Sequence, residues 1–353
     1  MSTIPVPTAL DQEIYRTRLA PWLPPRIIDI HTHVWQAKTD APKQNRSRLV
    51  AWPALVASEN PIEDLRETYR RLFPDKAVVP LMFGHLNNRA ADFDGGNGYI
   101  ADLVRRHGFF GLMYARPDWS AEELRAQLQR GPFSGVKVYL SLADAALKVN
   151  DITIFDFLPP HQLALLDELG MIVMLHIPRD GRLRDPVNIA QMLEIERRFP
   201  NVRLIIAHVG RAYCEEDMGD ALAVLGRETQ RMLFDFSANT NAVVFAELIR
   251  RIGPRRILFG SDLPIVRMRC RRICENGKYI NLVPKGLYGD VSVDSHLREV
   301  DGPAASGITY FLYEELLAFR AAAEATGLSS QDVADVFCHN ADRLLQSITP
   351  LGR

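Results

Sequence analysis

The chain has 353 residues, 47% hydrophobic and 24% charged, and its 42 Lys and Arg against 43 Asp and Glu leave a formal net charge of −1. That is globular composition with material for a large core, and the charge balance gives no general attraction for nucleic acid or an anionic membrane. No apolar stretch approaches the roughly 20 residues of a membrane helix, and the N-terminal "MSTIPVPTALDQEIYRTRLAPWLPP" lacks a basic segment followed by an apolar run, so neither a span nor a signal peptide is expected.

In chain order, an N-terminal extension precedes the first apolar run, "RIIDIH", which starts at Arg26 and is followed by a long loop to about residue 60. Seven more apolar, β-prone runs follow: "AVVPLMFGH", "FFGLMYA", "SGVKVYL", "MIVMLHI", "VRLIIAHV", "RMLFDFS" and "RILFGSD". Helix-favouring segments such as "SAEELRAQLQR", "PPHQLALLDELG", "DPVNIAQMLEIERRFP" and "NAVVFAELIRRIG" lie between them. Near-continuous apolar strands alternating with helices predict a parallel sheet buried on both faces. Eight such units, with no GxGxxG after the first strand, predict an α/β protein of the (β/α)₈ TIM-barrel type in a single domain over residues 1–353. The connection after the eighth strand, residues 265–307, is long enough to predict a lid, and "SSQDVADVFCHNADRLLQ" predicts C-terminal helices.

The polar residues sit where the strands end. Alternation along a strand puts His31 and His33 on one side, with Asp29 one step below on the same side. Taken alone, His-x-His suits a hydrogen-bonded structural pair as well as zinc or another first-row divalent metal. His176, His208 and Asp262 close the fifth, sixth and eighth runs, and the C-terminal strand ends of a barrel carry its active site. Lys137 stands among apolar residues of the fourth run, where it is either salt-bridged or a neutral amine able to form a carbamate that bridges two metal ions.

Together, "DIHTHVW", the Lys in "GVKVYL", His176, "AHVG", "FGSDLP" and the ending "CHNADRLL" resemble the metal-dependent amidohydrolase superfamily, most closely its amidohydrolase-related family 2 branch. The resemblance implies His31, His33, His176 and Asp262 as ligands of one divalent metal, zinc first, with Lys137 and His208 available for a second ion if Lys137 is carboxylated. Beside the resemblance, the chemistry of the site makes Asp262 and His208 the catalytic candidates, Asp262 next to the metal's water and His208, where it holds no second ion, placed to donate a hydrogen bond or proton to the substrate. The expected activity is hydrolysis of a C–N or lactone bond through a metal-activated water, with Asp262 shuttling the proton. Non-hydrolytic decarboxylation of an aromatic or unsaturated acid is the alternative, and a catalytically silent metal- or ligand-binding barrel the third.

Arg116, Arg179 and Arg211 follow strands three, five and six, and guanidinium forks at a barrel mouth suit a carboxylate-bearing small molecule. The competing reading pairs them with Asp118, Asp180 and Glu215. Tyr139 shares a strand face with Lys137, and His85 ends strand two; both are expected to line the substrate site. "RMRCRR", residues 267–272, reads first as a solvated or salt-bridged basic face and second as a contact for an anion. The four cysteines, at 214, 270, 274 and 338, are too scattered for a disulfide framework. Cys270 and Cys274 are expected as free thiols rather than a structural zinc site, and a reducing cytoplasm as the setting. A homo-oligomer is left open.

Overall fold

The computed structural model describes residues 4–37, 52–85, 92–292 and 294–352. The predicted long first loop therefore lies partly outside the described residues. All eight apolar runs form strands: β1 (Arg26–His33), β2 (Ala77–Phe83), β3 (Phe110–Gly111) with β4 (Met113–Tyr114), β5 (Gly135–Val138), β6 (Ile172–Leu175), β7 (Arg203–Ile206), β8 (Leu233–Asp235) and β9 (Ile257–Leu258). Every neighbouring pair is parallel.

The strands form two parallel sheets, in the order β1-β2-β3 and β4-β5-β6-β7-β8-β9, where the sequence predicts one closed barrel. Both seams fall at irregular backbone. Between β3 and β4 lies Leu112, whose N–H donates to the Met82 carbonyl at 2.8 Å. Beyond β9, Ile30 N–H donates to Phe259 O (3.0 Å), Asp262 N–H to His31 O (2.8 Å) and His33 N–H to Leu263 O (2.8 Å), so the last strand's extension lies against β1. Gly260 permits that approach, because a Cβ there would stand 2.7 Å from the Cβ of His31.

Helices fill the connections, as the segment patterns predict. Ser120 and Glu123 cap the helix Ala121–Leu128 reciprocally, and Leu124 and Leu128 are its buried face. Asp185 caps Pro186–Arg198, whose first-turn proline lacks only an N–H the helix cannot use, and Met192 and Ile195 face inward. Strand alternation divides the core. Val173, Leu175, Leu204 and Ile206 belong to the large cluster that includes the helices, whereas Ile172, Met174 and Ile205 pack with Ile28, Leu81 and Leu258 in a second. "SSQDVADVFCHNADRLLQ" forms three short helical segments from Ser330 to Gln346. No helix among the described residues is long and apolar enough to cross a membrane.

The connection after β9 has its own structure. β10 (Arg271–Glu275) and β11 (Lys278–Pro284) make an antiparallel hairpin, and β12 (Leu297–Val300) adds to β11 in parallel. Asn276 and Gly277, with φ of 52° and 71°, form its two-residue turn, the residue pair that such turns favour. Cys274 on this hairpin is disulfide-bonded to Cys214, which corrects the expectation of a free thiol. The partners lie 60 residues apart in sequence, so spacing alone does not reveal them. Cys270 and Cys338 are free and buried.

Candidate metal centre

β1 has a register shift against β2 between Asp29 and Thr32. An extra residue in a strand re-aims its side chains, and here it corrects the expectation that Asp29 lies below the histidines on the same side. Asp29 turns to Tyr69 Oη (2.9 Å), Ser261 Oγ (2.6 Å) and the N–H of Ser261 (2.9 Å), clasping β1 to the turn that carries Asp262. Burial pushes its carboxyl up to about 7 against these hydrogen bonds. His31 and His33 stand instead beside Phe83, with ring centroids 5.1 and 4.7 Å from it.

Three imidazoles are fixed at Nδ1. His31 Nδ1 lies 2.9 Å from Asp235 Oδ2, His33 Nδ1 2.8 Å from Gly84 O, and His208 Nδ1 3.1 Å from Ser237 O. These partners accept hydrogen bonds, so the network assigns the proton to Nδ1 and leaves each Nε2 with a free lone pair, the arrangement in which histidines bind metals. His31 Nε2 is buried without a hydrogen-bond partner. It lies 3.6 Å from Asp262 Oδ1, and His33 Nε2 lies 3.3 Å from the same oxygen. Donor atoms of His31, His208 and Asp262 all fall within 4.8 Å of one another, so these groups can hold a cation. Burial keeps the imidazoles neutral: with Lys137 adding to it, His33 is pushed down to about 3, and His208 falls to about 4 despite Asp262.

Of the other predicted ligands, His176 stands at the edge of this trio, its ring 5.4 Å from that of His208 and 4.6 Å from that of Tyr139. Its Nδ1 is buried without a hydrogen-bond partner among the described residues. Lys137 Nζ has neither a hydrogen bond nor an ion pair among them, and lies 5.3 and 5.8 Å from the ring centroids of Phe83 and Tyr139. Burial pulls its ammonium down to about 8 against the attraction of Asp235 and Asp262. Burial likewise raises the Asp262 carboxyl to about 6, opposed by His208 and Lys137.

Backbone strain gathers around these groups. Of the eight described non-glycine residues with positive φ, seven follow β6 to β9: Arg179, Arg182, His208, Val209, Arg211, Ala238 and Asp262. Each costs of order 1–3 kcal/mol, a concentration typical of functional sites.

Asp235 and Ser237 are residues the sequence reading missed. Asp235 Oδ1 accepts from the N–H of His208 (2.9 Å), the N–H of Ser237 (3.1 Å) and Ser237 Oγ (2.6 Å), while Oδ2 orients His31. The signal was present in "LFDFS", an acid and a serine two apart at a strand end. Among the predicted substrate residues, Arg116 is committed to Asp118 through Nε (2.9 Å) and Nη2 (2.8 Å). Arg179 pairs with Asp185 at 2.9 Å, not with Asp180. Arg211 donates to the carbonyls of Pro178 and Arg179, both at 3.1 Å, and the ring of His85 lies 4.5 Å from Trp35 and 5.8 Å from His33.

No protein of curated function matches the chain in sequence. Among solved structures, a probable 2-pyrone-4,6-dicarboxylic acid hydrolase of Acinetobacter baumannii, with citric acid bound, is similar at a TM-score of 0.55 and 14% identity, over 91% of this chain and 99% of that one. The 5-carboxyvanillate decarboxylase of Sphingomonas paucimobilis is similar at 0.55 and 13% identity, over 92% and 100%. An amidohydrolase of Burkholderia multivorans with bound zinc is similar at 0.53 and 14% identity, over 91% and 99%. At these identities the likeness concerns the fold. The family model described as Amidohydrolase, that of the second branch, matches residues 28–346, from β1 to the last helix, and the chain therefore belongs to the amidohydrolase 2 family.

Proposed function

We propose that the chain is a metal-dependent hydrolase opening a C–N or lactone bond of a small, carboxylate-bearing substrate. The observation that carries this reading is the convergence of three Nδ1-anchored imidazoles on Asp262, with His31 Nε2 buried and unpartnered. His31, His33, His176, His208 and Asp262 are the groups that would hold the cation, the trio His31, His208 and Asp262 being already the tightest. Zinc suits this nitrogen-rich set, and the Burkholderia multivorans relative holds zinc. Lys137 would hold a second ion after its neutral amine adds carbon dioxide and releases a proton. The eight strand units are read as one (β/α)₈ domain, supported by the hydrogen bonds across both seams, with residues 265–307 as its lid.

A divalent cation bound here supplies Lewis acidity and brings the pKa of a water toward neutrality. Asp262, whose Oδ1 faces Nε2 of both β1 histidines, would take a proton from the attacking water and return it to the leaving group. The Nδ1 proton of His208 is engaged by Ser237, which leaves Nε2 as the atom through which His208 would hold the cation. Asp235 holds His31 and the His208 backbone in place.

The test is the metal content of protein purified without chelator, then a screen of lactones, amides and aromatic acids. We expect one or two divalent ions per chain, lost in the His31→Ala/His33→Ala double variant, and solvent oxygen in the product. Full metal stoichiometry in that variant would reject the site. Carbon dioxide release without solvent oxygen would replace hydrolysis by decarboxylation.

A further inference from the structure

The basic stretch 267–272 divides by strand alternation. Arg271 points outward on β10 and pairs with Glu314 at 3.2 Å, whereas Arg272 points inward and is only 8% exposed. Arg272 Nε donates to Asn281 Oδ1 at 2.9 Å and Nη1 to the Ala238 carbonyl at 2.5 Å. Its Cζ lies 4.3 Å from the ring centroid of Tyr279, 4.6 Å from that of Phe311 and 4.7 Å from that of Tyr213. With rings crowding the guanidinium, hydrogen bonding is left to its edge, and Nη2 has no hydrogen bond among the described residues.

Charge bookkeeping makes this residue unusual. Arg116, Arg179 and Arg182 each have a carboxylate, Asp118, Asp185 and Asp217 respectively. Arg272 and Arg211 have no carboxylate in ion-pair contact among the described residues and donate only to neutral acceptors, and Asp262 acts on Arg272 only at longer range. A guanidinium withdrawn from water without a counter-charge in contact costs several kcal/mol, so the buried Arg272 calls for an anion at its free edge. The position links it to the metal centre. The Tyr213 ring that packs on Arg272 also lies 6.4 Å from the ring of His208, and 5.0 Å from Tyr279.

We infer that Arg272, walled by Tyr213 and Tyr279 and assisted by Arg211, is a carboxylate subsite for a planar, conjugated or aromatic acid whose carboxylate lies remote from the atom held at the metal centre. The subsite deepens the hydrolase reading and rests on it. Its fork meets the carboxylate edge-on, since the rings restrict approach to the guanidinium faces. The Cys214–Cys274 bond ties the hairpin bearing Arg272 to the loop bearing Arg211 and Tyr213, so both sides of the subsite are covalently joined.

Titration calorimetry with isophthalate and its uncharged analogue isophthalamide tests this on the full chain as purified, with metal content measured on the same samples. The parent should bind isophthalate at least about tenfold more tightly than isophthalamide. Arg272→Gln should lose at least about tenfold for isophthalate, with metal content and isophthalamide binding unchanged. Arg271→Gln, one residue away on the outer face, should match the parent. Equal binding of the two probes by the parent, an Arg272→Gln loss below about twofold, an equal loss in Arg271→Gln, or no isophthalate binding at about 10 mM would each overturn the inference. Should Arg272→Gln fail to fold, the parent's preference for the charged probe decides. A chain without metal that still prefers isophthalate would reject the hydrolase reading and keep the subsite; a metal-loaded hydrolase indifferent to Arg272 would do the reverse.

Discussion

Asp262 joins two roles at one position. Its positive φ of 63° and its N–H bond to His31 O fix the carboxylate against both β1 histidines, and burial raises that carboxyl to about 6. As a ligand alone it would tolerate Asn at saturating metal; as proton shuttle it would not, because an amide cannot accept and return a proton. Asp262→Asn should therefore lower kcat about 10²- to 10⁴-fold at full metal occupancy, measured under metal titration. Turnover within a few-fold of the parent would leave Asp262 a ligand only. At this scale the sequence was readable where an unusual polar residue ends an apolar run, as with His31, His33, His208 and Asp262. It was unreadable for Arg272, whose inward direction depends on the register of a hairpin, and for Asp29, whose direction depends on an irregularity in β1.

The N-terminal helix Ala9–Ile14 is tied to the segment after β9 through Asp11, which meets Arg269 at 2.6 Å and Thr309 Oγ1 at 2.5 Å. Burial alone would raise this carboxyl, but the bonds from Arg269, Thr309 and Thr8 outweigh it and hold the group below its ordinary 3.8. A depressed folded pKa means stability that is fully present above the unfolded value and lost as pH falls through the folded one. Asp11→Asn should cost about 2 kcal/mol at neutral pH, and denaturant melts should show that difference shrinking once pH drops below 3.8. A deficit constant with pH would exclude the ionised clasp. Sequence pattern predicts such elements well and their attachments poorly: the helices follow from capping and periodicity, but the pairing of Asp11 with Arg269 spans 258 residues.

Across the molecule, polar groups from β1, β5 and the loops after β6, β7 and β9 share one buried region, an arrangement that costs folding free energy unless a cation compensates it. Chelation should therefore lower the Tm by roughly 5–10 °C, as expected for a ligand present at about 1,000 times its Kd, and zinc should restore it. The His31→Ala/His33→Ala variant should not respond to chelator; an equal response would place the stabilising ion elsewhere. The sequence by itself determined the alternation of apolar strands and amphipathic helices, the parallel pairing, and the placement of histidines and Asp262 at strand ends, because each depends on local periodicity and chain direction. Tertiary structure alone decided that Asp235 orients His31 across 204 residues, that Cys214 bonds Cys274, and that Arg272 turns inward beside Tyr213. Those contacts depend on sheet order and register, which bring together side chains whose separation along the chain carries no periodic signal.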